Sequence, residues 1–284
     1  MTNKKYAFFT IDAESFLDTE CIYNLSKKEE VIVDDMLDGL DEYLNLLDEF
    51  NVKATMFFVC STARKIPQKV RQYIARGHKI ALHGLDHTAP LDMDNDTFYN
   101  KVKQAKQELE DSFGQKVVGF RAPFFSIDND KLKILKDLGF LYDASCSLCN
   151  YARHCGTLDL TNFDPIIDNV YKKDNFYEFG VNTTKLFGKP FSISGGGWAR
   201  IMPSWYFNPT LKNVLKHTNY YMFYLHPFEL TKQKIAYFKH LKGYDKMYIK
   251  YNIPKYINRI KKVILNLQKQ GFTFSCLEDF IEQN

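Results

Sequence analysis

The sequence predicts an α/β protein whose parallel sheet closes as a (β/α) barrel. Three observations carry that reading. Short apolar runs of strand length alternate with longer stretches whose apolar residues recur at helical spacing. Asp12, His83, Arg121 and His226 each follow directly on the last apolar residue of such a run, and (β/α) barrels build their active sites at the C-terminal ends of their strands. The 284 residues also fit one well-filled barrel. A single domain spanning residues 1–284, without linker or repeat, is therefore expected.

The elements follow in order. Tyr6 to Ile11 is a buried strand that ends at Asp12, with Glu14 two residues on. Asp35 to Phe50 places Met36, Leu40, Tyr43, Leu44 and Leu47 at helical spacing. Ala54 to Val59 is a second strand, and Pro67 to Arg76 a helix closed by Gly77. His78 to Leu82 is a third strand. Asp96 is positioned to cap a helix that reaches about Phe113 and stops at Gly114. Val117 to Phe120 is a fourth strand, Asn129 to Leu138 a helix, and Phe140 to Tyr142 a short strand. Residues 144–190 show no clear period apart from a strand near Phe176 to Phe179. Ser194-Gly-Gly-Gly-Trp198 reads as a flexible turn where backbone approaches a ligand closely. Tyr220 to Leu225 is the most apolar strand of the second half. Lys255 to Gln270 is an amphipathic helix closed by Gly271, followed by a strand, Phe272 to Phe274, and a helix, Leu277 to Ile281.

Composition narrows the class. Hydrophobic content of 45% and charged content of 25% are those of a globular protein, and no apolar run approaches the ~20 residues of a membrane span. Met1 to Lys5 leads straight into the first strand, leaving no room for a signal peptide. The six cysteines are then expected to be reduced thiols, and the chain cytoplasmic. A net charge of +4 does not by itself imply nucleic acid. The distribution says more: Lys232 to Lys262 holds ten Lys or Arg residues against one acid, Asp245, with tyrosines between them. Solvated helix faces, nucleic acid and an anionic membrane surface meeting a phosphorylated or lipid-diphosphate substrate are the three readings. The expected partners exclude nucleic acid and keep peripheral membrane contact through 232–262.

The chemistry centres on His83-Gly-Leu-Asp-His87. Two histidines four apart, where a strand runs into a loop, can turn both imidazoles toward one metal ion. Each feature has a plainer alternative. The histidines can be core residues; Asp12 can cap a turn; Arg121 can pair with any acid; His226, before Pro227, can be a satisfied core histidine. Cys146-Ser-Leu-Cys149 with His154-Cys155 is a second metal candidate, weakened because structural zinc needs four ligands and adjacent His154 and Cys155 do not easily face one ion.

Taken together, the motifs resemble the NodB-homology polysaccharide deacetylases, metal-dependent carbohydrate esterases with a distorted (β/α) barrel. Thr10-Ile-Asp12-Ala-Glu14 stands where that family has its aspartate pair, His83 and His87 match its histidine pair, Arg121-Ala-Pro-Phe124 its Arg-x-Pro-aromatic segment, and Tyr224-Leu-His226 its late Leu-x-His. Gly119 to Ile127, Ser194 to Trp198 and His226-Pro-Phe-Glu229 are similar to a subgroup associated with exopolysaccharide biosynthesis. One departure matters: Ala13 holds the position of the second, metal-binding aspartate, and Glu14 would have to supply that ligand.

The resemblance implies one divalent metal ion, zinc by its donor set, held by Glu14, His83 and His87, with positions left open for water. The ion would bring bound water's pKa from 15.7 to about 7. Asp12 would be the base, Arg121 would hold it ionised, the Phe124 N–H would bind the oxyanion and His226 would be the acid. Pro123, Gly196 and Trp198 would meet the sugar. The implied reaction is removal of an N-acetyl (or O-acyl) group from a sugar in surface-glycan biosynthesis, nucleotide-linked, lipid-linked or an oligosaccharide. Two alternatives stand beside it: a non-catalytic glycan-binding relative that lost its metal through Ala13, and a barrel enzyme hydrolysing cyclic amides.

Overall fold

The structure is a computed structural model and describes residues 4–19, 37–147, 155–186, 188–232, 241 and 243–284. Its strands are β1 (Lys5–Ala13), β2 (Ala54–Phe58), β3 (Lys79–Leu82), β4 (Gly119–Phe120), β5 (Tyr142–Cys146), β6 (Asp164–Ile167), β7 (Val170–Lys173), β8 (Phe176–Gly180), β9 (Thr183–Leu186), β10 (Lys189–Ser192), β11 (Tyr220–Leu225) and β12 (Phe272–Phe274). The helices are α1 (Asp38–Glu49), α2 (Cys60–Lys65), α3 (Pro67–Ala75), α4 (Asn95–Phe113), α5 (Asn129–Asp137), α6 (Gly196–Ile201), α7 (Ser204–His217), α8 (Gly243–Lys250), α9 (Ile253–Lys269) and α10 (Leu277–Gln283).

One sheet runs β11-β1-β2-β3-β4-β5-β8-β7-β6, with β12 beside the start of β1, and curls into a distorted (β/α) barrel. The pairs from β11 to β8 are parallel, as the alternating sequence predicts. The far edge differs: β8, β7 and β6 form an antiparallel meander, and β9–β10 a separate hairpin. β6 and β7 are short and partly or fully solvent-exposed at most positions, and so leave little trace of period, whereas β8 is the buried strand expected near Phe176 to Phe179.

Period-2 alternation of β1 feeds two cores. Ala7, Phe9, Ile11 and Ala13 face the helices, where α1, α4 and α9 bury their apolar stripes. Tyr6 and Phe8 face the barrel interior with Phe57, Tyr142, Phe179, Tyr220 and Met222. Helix α10 closes that interior by inserting Phe280, whose ring meets Tyr6 at 4.9 Å and Phe8 at 5.5 Å edge-on.

Several elements depart from the sequence reading. Asp94, not Asp96, caps α4 by accepting the N–H of Thr97, because the cap residue lies outside the helix. Its other end is as expected, with Gly114 in the left-handed region at φ 66°. The fourth and fifth strands are shifted, to Gly119–Phe120 and Tyr142–Cys146. Helices α2 and α7 were not foreseen: α2 is a short helix, and α7 carries Pro209 inside it, a residue that reads as a breaker. The expected glycine turn is the entry to α6. Gly195 bridges to Tyr224 in parallel at φ 120°, and a Cβ there would lie 2.1 Å from the Tyr224 carbonyl oxygen.

Candidate active site

Strand ends bring Asp12, Glu14, His83, His87, Arg121 and His226 to one end of the sheet. Asp12 and Thr10 share the inward face of β1, and both accept from Nη1 of Arg121, at 2.6 Å and 3.0 Å. Arg121 enters from the end of β4 and is fully buried. Its Nε donates to the Ala144 carbonyl at 3.0 Å, its Nη2 meets the Met222 sulfur at 2.9 Å, and its guanidinium lies 4.1 Å from the Phe57 ring centre. A guanidinium held by its whole fork is a permanent, directed positive charge, and here it fixes one oxygen of Asp12.

The other Asp12 oxygen lies 4.0 Å from His226 Nε2. His226 caps the short 3-10 turn Pro227–Leu230, where the fixed φ of Pro227 starts the turn and Glu229 bonds back to the His226 N–H at 3.1 Å. The same carboxylate reaches Nδ1 of the ring at 3.3 Å. Burial pushes the His226 pKa down, but the charges of Glu14, Glu229 and Asp12 and the bond to Glu229 outweigh it and bring it up to about 9. Its side chain is 22% exposed, against 3% for Asp12 and 5% for Glu14, so His226 is the member of this group that solvent reaches.

Beside Asp12 stands the metal candidate. The ligand atoms of Glu14, His83 and His87 lie within 4.8 Å of one another, and these residues form the one such cluster found among the described residues. His83 Nδ1 sits 2.7 Å from the Arg121 carbonyl; donating there turns the lone pair of Nε2 outward. That Nε2 is 3.7 Å from Glu14 Oε2, and His87 Nε2 is 2.7 Å from the same oxygen. Two imidazole nitrogens and a carboxylate converging on one point fit a divalent cation that keeps positions open. Burial would raise the Glu14 carboxyl, yet the charges of His87 and His226 and bonds from His83 and His87 hold it far below the usual carboxylate range. His87 is pulled the other way: burial lowers it, and the Glu14 charge and bond raise it above the ordinary imidazole value. Ala13 faces the helix-side core with Ile11. An aspartate at 13 would point away from the histidines, whereas Glu14 shares the inward side with Asp12.

The loop after Arg121 is held from below. Ser145 Oγ accepts the Ala122 N–H at 2.8 Å and donates to Asp143 at 2.8 Å. Pro123 starts a tight turn in which Phe124 and Phe125 adopt left-handed φ of 59° and 55°, a conformation that costs bulky residues about 1–3 kcal/mol each. It places the Phe124 ring edge-on to His87 at 4.5 Å and the Phe125 ring against Tyr224 at 5.5 Å. Gly196 and Trp198 lie one layer back. Gly196 packs so tightly on Tyr224 that a Cβ would come within 2.9 Å of that ring, and Trp198 is half-buried, 6.3 Å from Phe191.

Sequence reasoning assigned no role to Glu229 or Arg200. Both are fully buried, with Arg200 Nε 3.0 Å from Glu229 Oε1. Arg200 Nη1 also donates to the carbonyls of Tyr248 and Tyr251, at 2.6 Å each. Glu229 carried a signal, a carboxylate three residues after a capping position; Arg200, inside an irregular glycine-rich stretch, carried none. Burial pushes the thiols of Cys146 and Cys155 up. Cys149 and His154 lie outside the described residues.

The site is thus an Asp–Arg pair, a histidine and a Glu–His–His cluster at the strand ends of a curled α/β sheet. Comparison with known proteins adds the family. Residues 2–142 match the polysaccharide deacetylase family, and residues 146–282 a domain of unknown function (DUF3473). The first half of the chain thus carries the sequence of the polysaccharide deacetylase family. It is 32% identical over 111 residues to a peptidoglycan deacetylase-like protein of Gibberella zeae, a match covering 38% of this chain and 33% of that protein. It is 27% identical over 105 residues to a peptidoglycan-N-acetylglucosamine deacetylase of Bacillus cereus, covering 37% and 38%. The matched stretch thus spans about a third of these relatives' length. The fold is that of a crystal structure from Mycobacterium smegmatis described as a polysaccharide deacetylase, with TM-score 0.63 and 18% identity, covering 100% of this chain and 91% of that one.

Proposed function

We propose that this protein is a metal-dependent deacetylase that removes the N-acetyl (or an O-acyl) group of a sugar during surface-glycan or exopolysaccharide biosynthesis. One observation carries the reading: a buried Asp12 fixed by Arg121 on one oxygen, with His226 4.0 Å from the other. Glycan binding alone requires neither a base nor an acid. The family match over residues 2–142 and the deacetylase relatives support it.

Glu14, His83 and His87 would hold the metal, zinc by the donor set, and a divalent ion bound there acidifies water and polarises a carbonyl oxygen. Asp12 takes a proton from the attacking water, whose oxygen bonds to the acyl carbon. Arg121 keeps that carboxylate oriented. The Phe124 N–H faces the developing oxyanion. The carbon–nitrogen bond then breaks as His226 delivers its proton to the departing amine, while Glu229 and Arg200 hold the imidazole. Acetate and the free amino sugar leave. Asp12 comes from the first matched segment and His226 from the second, and we read both as one catalytic unit; a nucleotide- or lipid-linked sugar is the substrate we propose for it.

Asp12→Asn tests the assignment. Turnover of an acetylated sugar should fall by about 10³-fold or more while zinc content, measured by metal analysis, stays at the parent level. Full turnover in that variant would refute Asp12 as the base.

A further inference from the structure

A second surface stands beside this site and is tied to it through Arg200. The guanidinium that grips Glu229 also holds the carbonyls of Tyr248 and Tyr251, so α8 and the turn after it are anchored to the group supporting His226. Asn252 Nδ2 donates to the Arg200 carbonyl at 3.0 Å, and Arg259 of α9 reaches the Met202 carbonyl at 2.6 Å and Ser204 Oγ at 2.7 Å. These bonds tie α6 and the start of α7 to α9 and to the turn that follows α8.

What this corner presents outward is unusual. Trp205 in the first turn of α7 is 78% exposed, and Met247 and Tyr251 are also exposed large apolar side chains. On α8, Ile249 is buried, while Lys246, Met247 and Lys250 point to solvent, and Tyr251 and Lys255 extend the same exposed surface. At 100° per residue, positions 246, 250, 247 and 251 fill one continuous arc of about 140°. Lys246 and Lys255 make no ion pair with any described residue, and from Gly243 to Lys269 the one acid is Asp245. No described helix is long and apolar enough to cross a membrane.

From this juxtaposition we infer that the α7–α8 corner docks the catalytic end of the protein on an anionic membrane surface. Trp and Tyr are the side chains that settle at headgroup level. A thioether beside them enters the acyl boundary, and the exposed lysines of this face answer the negative surface potential. An acidic glycan would engage the lysines but gives no role to an exposed methionine. The inference rests on the deacetylase reading only for its consequence: a docked corner next to His226 suits an acetylated sugar carried on a lipid.

Co-sedimentation of the full chain with phosphatidylcholine vesicles, with and without phosphatidylglycerol, tests the docking without any turnover. The expected result is binding only where phosphatidylglycerol is present, abolished by high salt. In K246E/K250E/K255E binding should fall by at least about tenfold, with circular dichroism unchanged. In a Trp198→Phe background the vesicles should blue-shift the emission of Trp205, and Trp205→Ser should weaken binding. The salt titration on the unaltered chain needs no variant, so a misfolded triple variant does not protect the idea. Equal binding to both kinds of vesicle, or to neither, overturns it. So does binding to a soluble acidic polysaccharide that displaces the protein from vesicles without any shift at Trp205. A chain that binds vesicles but never deacetylates sinks the enzyme reading alone; the reverse sinks the docking alone.

Discussion

Removing Glu229 should separate what holds the fold from what tunes the acid. Glu229 and Arg200 are a fully buried ion pair, and breaking such a pair by deleting one partner leaves an uncompensated charge, at about 3–5 kcal/mol. Arg200 keeps two carbonyl acceptors, which puts Glu229→Ala at the lower end, near ~3 kcal/mol. At roughly 2–4 °C per kcal/mol for a chain of this size, Tm falls by about 10 °C. Replacing both partners, Arg200→Met with Glu229→Leu, should recover most of that, because an apolar substitute for a buried pair is often neutral or better. Activity should not recover with it. The Glu229 carboxylate helps raise His226 to about 9, so the protonated acid persists into alkaline solution. The folded value lies above the unfolded one, so the stabilisation is fully present below about pH 6.5 and is lost as pH rises through about 9. Glu229→Gln keeps the shape and removes the charge, and the alkaline limb of kcat/KM should move to lower pH. Urea unfolding and a pH–rate profile measure the two effects. Stability loss under ~1 kcal/mol in Glu229→Ala, together with an unmoved alkaline limb in Glu229→Gln, would refute the reasoning.

Other perturbations have outcomes as definite. Zinc should raise Tm of chelator-treated protein, by about 2.7 kcal/mol of stabilisation at a hundredfold excess over Kd, and His87→Ala should abolish the response in differential scanning fluorimetry. Gly195→Ala places a Cβ 2.1 Å from the Tyr224 carbonyl at φ 120°, and thermal melting should show a loss on the order of 3 kcal/mol. Asp143 and Glu178 are opposed across β5 and β8, both fully buried. Burial pushes Asp143 up to about 6, and burial with the Asp143 charge raises Glu178 well above the ordinary carboxylate value. Both folded values exceed the unfolded ones, so the pair stabilises below the ordinary carboxylate range, and that contribution is lost as pH rises through about 6 and beyond. Glu178→Gln should therefore lose less stability than the parent between pH ~5 and ~8 in urea unfolding.

The first half of the fold was legible because its signals are strong and local. Strands β1, β2 and β3 are apolar runs, with Asp12 near the end of β1 and His83 directly after β3, and helices α3, α4 and α5 close on Gly77, Gly114 and Gly139, all at positive φ. The second half hides its order. The meander of β6–β8 is stabilised by pairing between short edge strands, and β6 is largely exposed, so no alternation is imposed on its sequence. Helix α7 is hard to read because Pro209 lies in its second turn, past the free N–H groups of the first, where a proline removes one i→i−4 hydrogen bond and reads as a breaker. Arg200 illustrates the general limit. Its partners Glu229, Tyr248 and Tyr251 lie 29 to 51 residues away, and no local pattern announces a contact made only in three dimensions.

Ala13 shows where a motif misleads and physics corrects it. Judged by the family's adjacent aspartates, the substitution removes a ligand. Judged by the strand, it does not, because β1 is extended through Ala13 and sends alternate side chains to opposite faces. Ile11 and Ala13 go to the helix-side core, while Thr10 and Asp12 meet Arg121. A carboxylate at 13 would be buried among apolar side chains with no cation to face, a costly placement. The residue able to join Asp12 on the inner side is the next one, and Glu14 lies 2.7 Å from His87. Extending the strand by one residue and moving the carboxylate by one position are then a single change. Restoring an aspartate at Ala13 in a Glu14→Ala background should fail to restore zinc binding, because the strand, not the side chain, decides which way position 13 points.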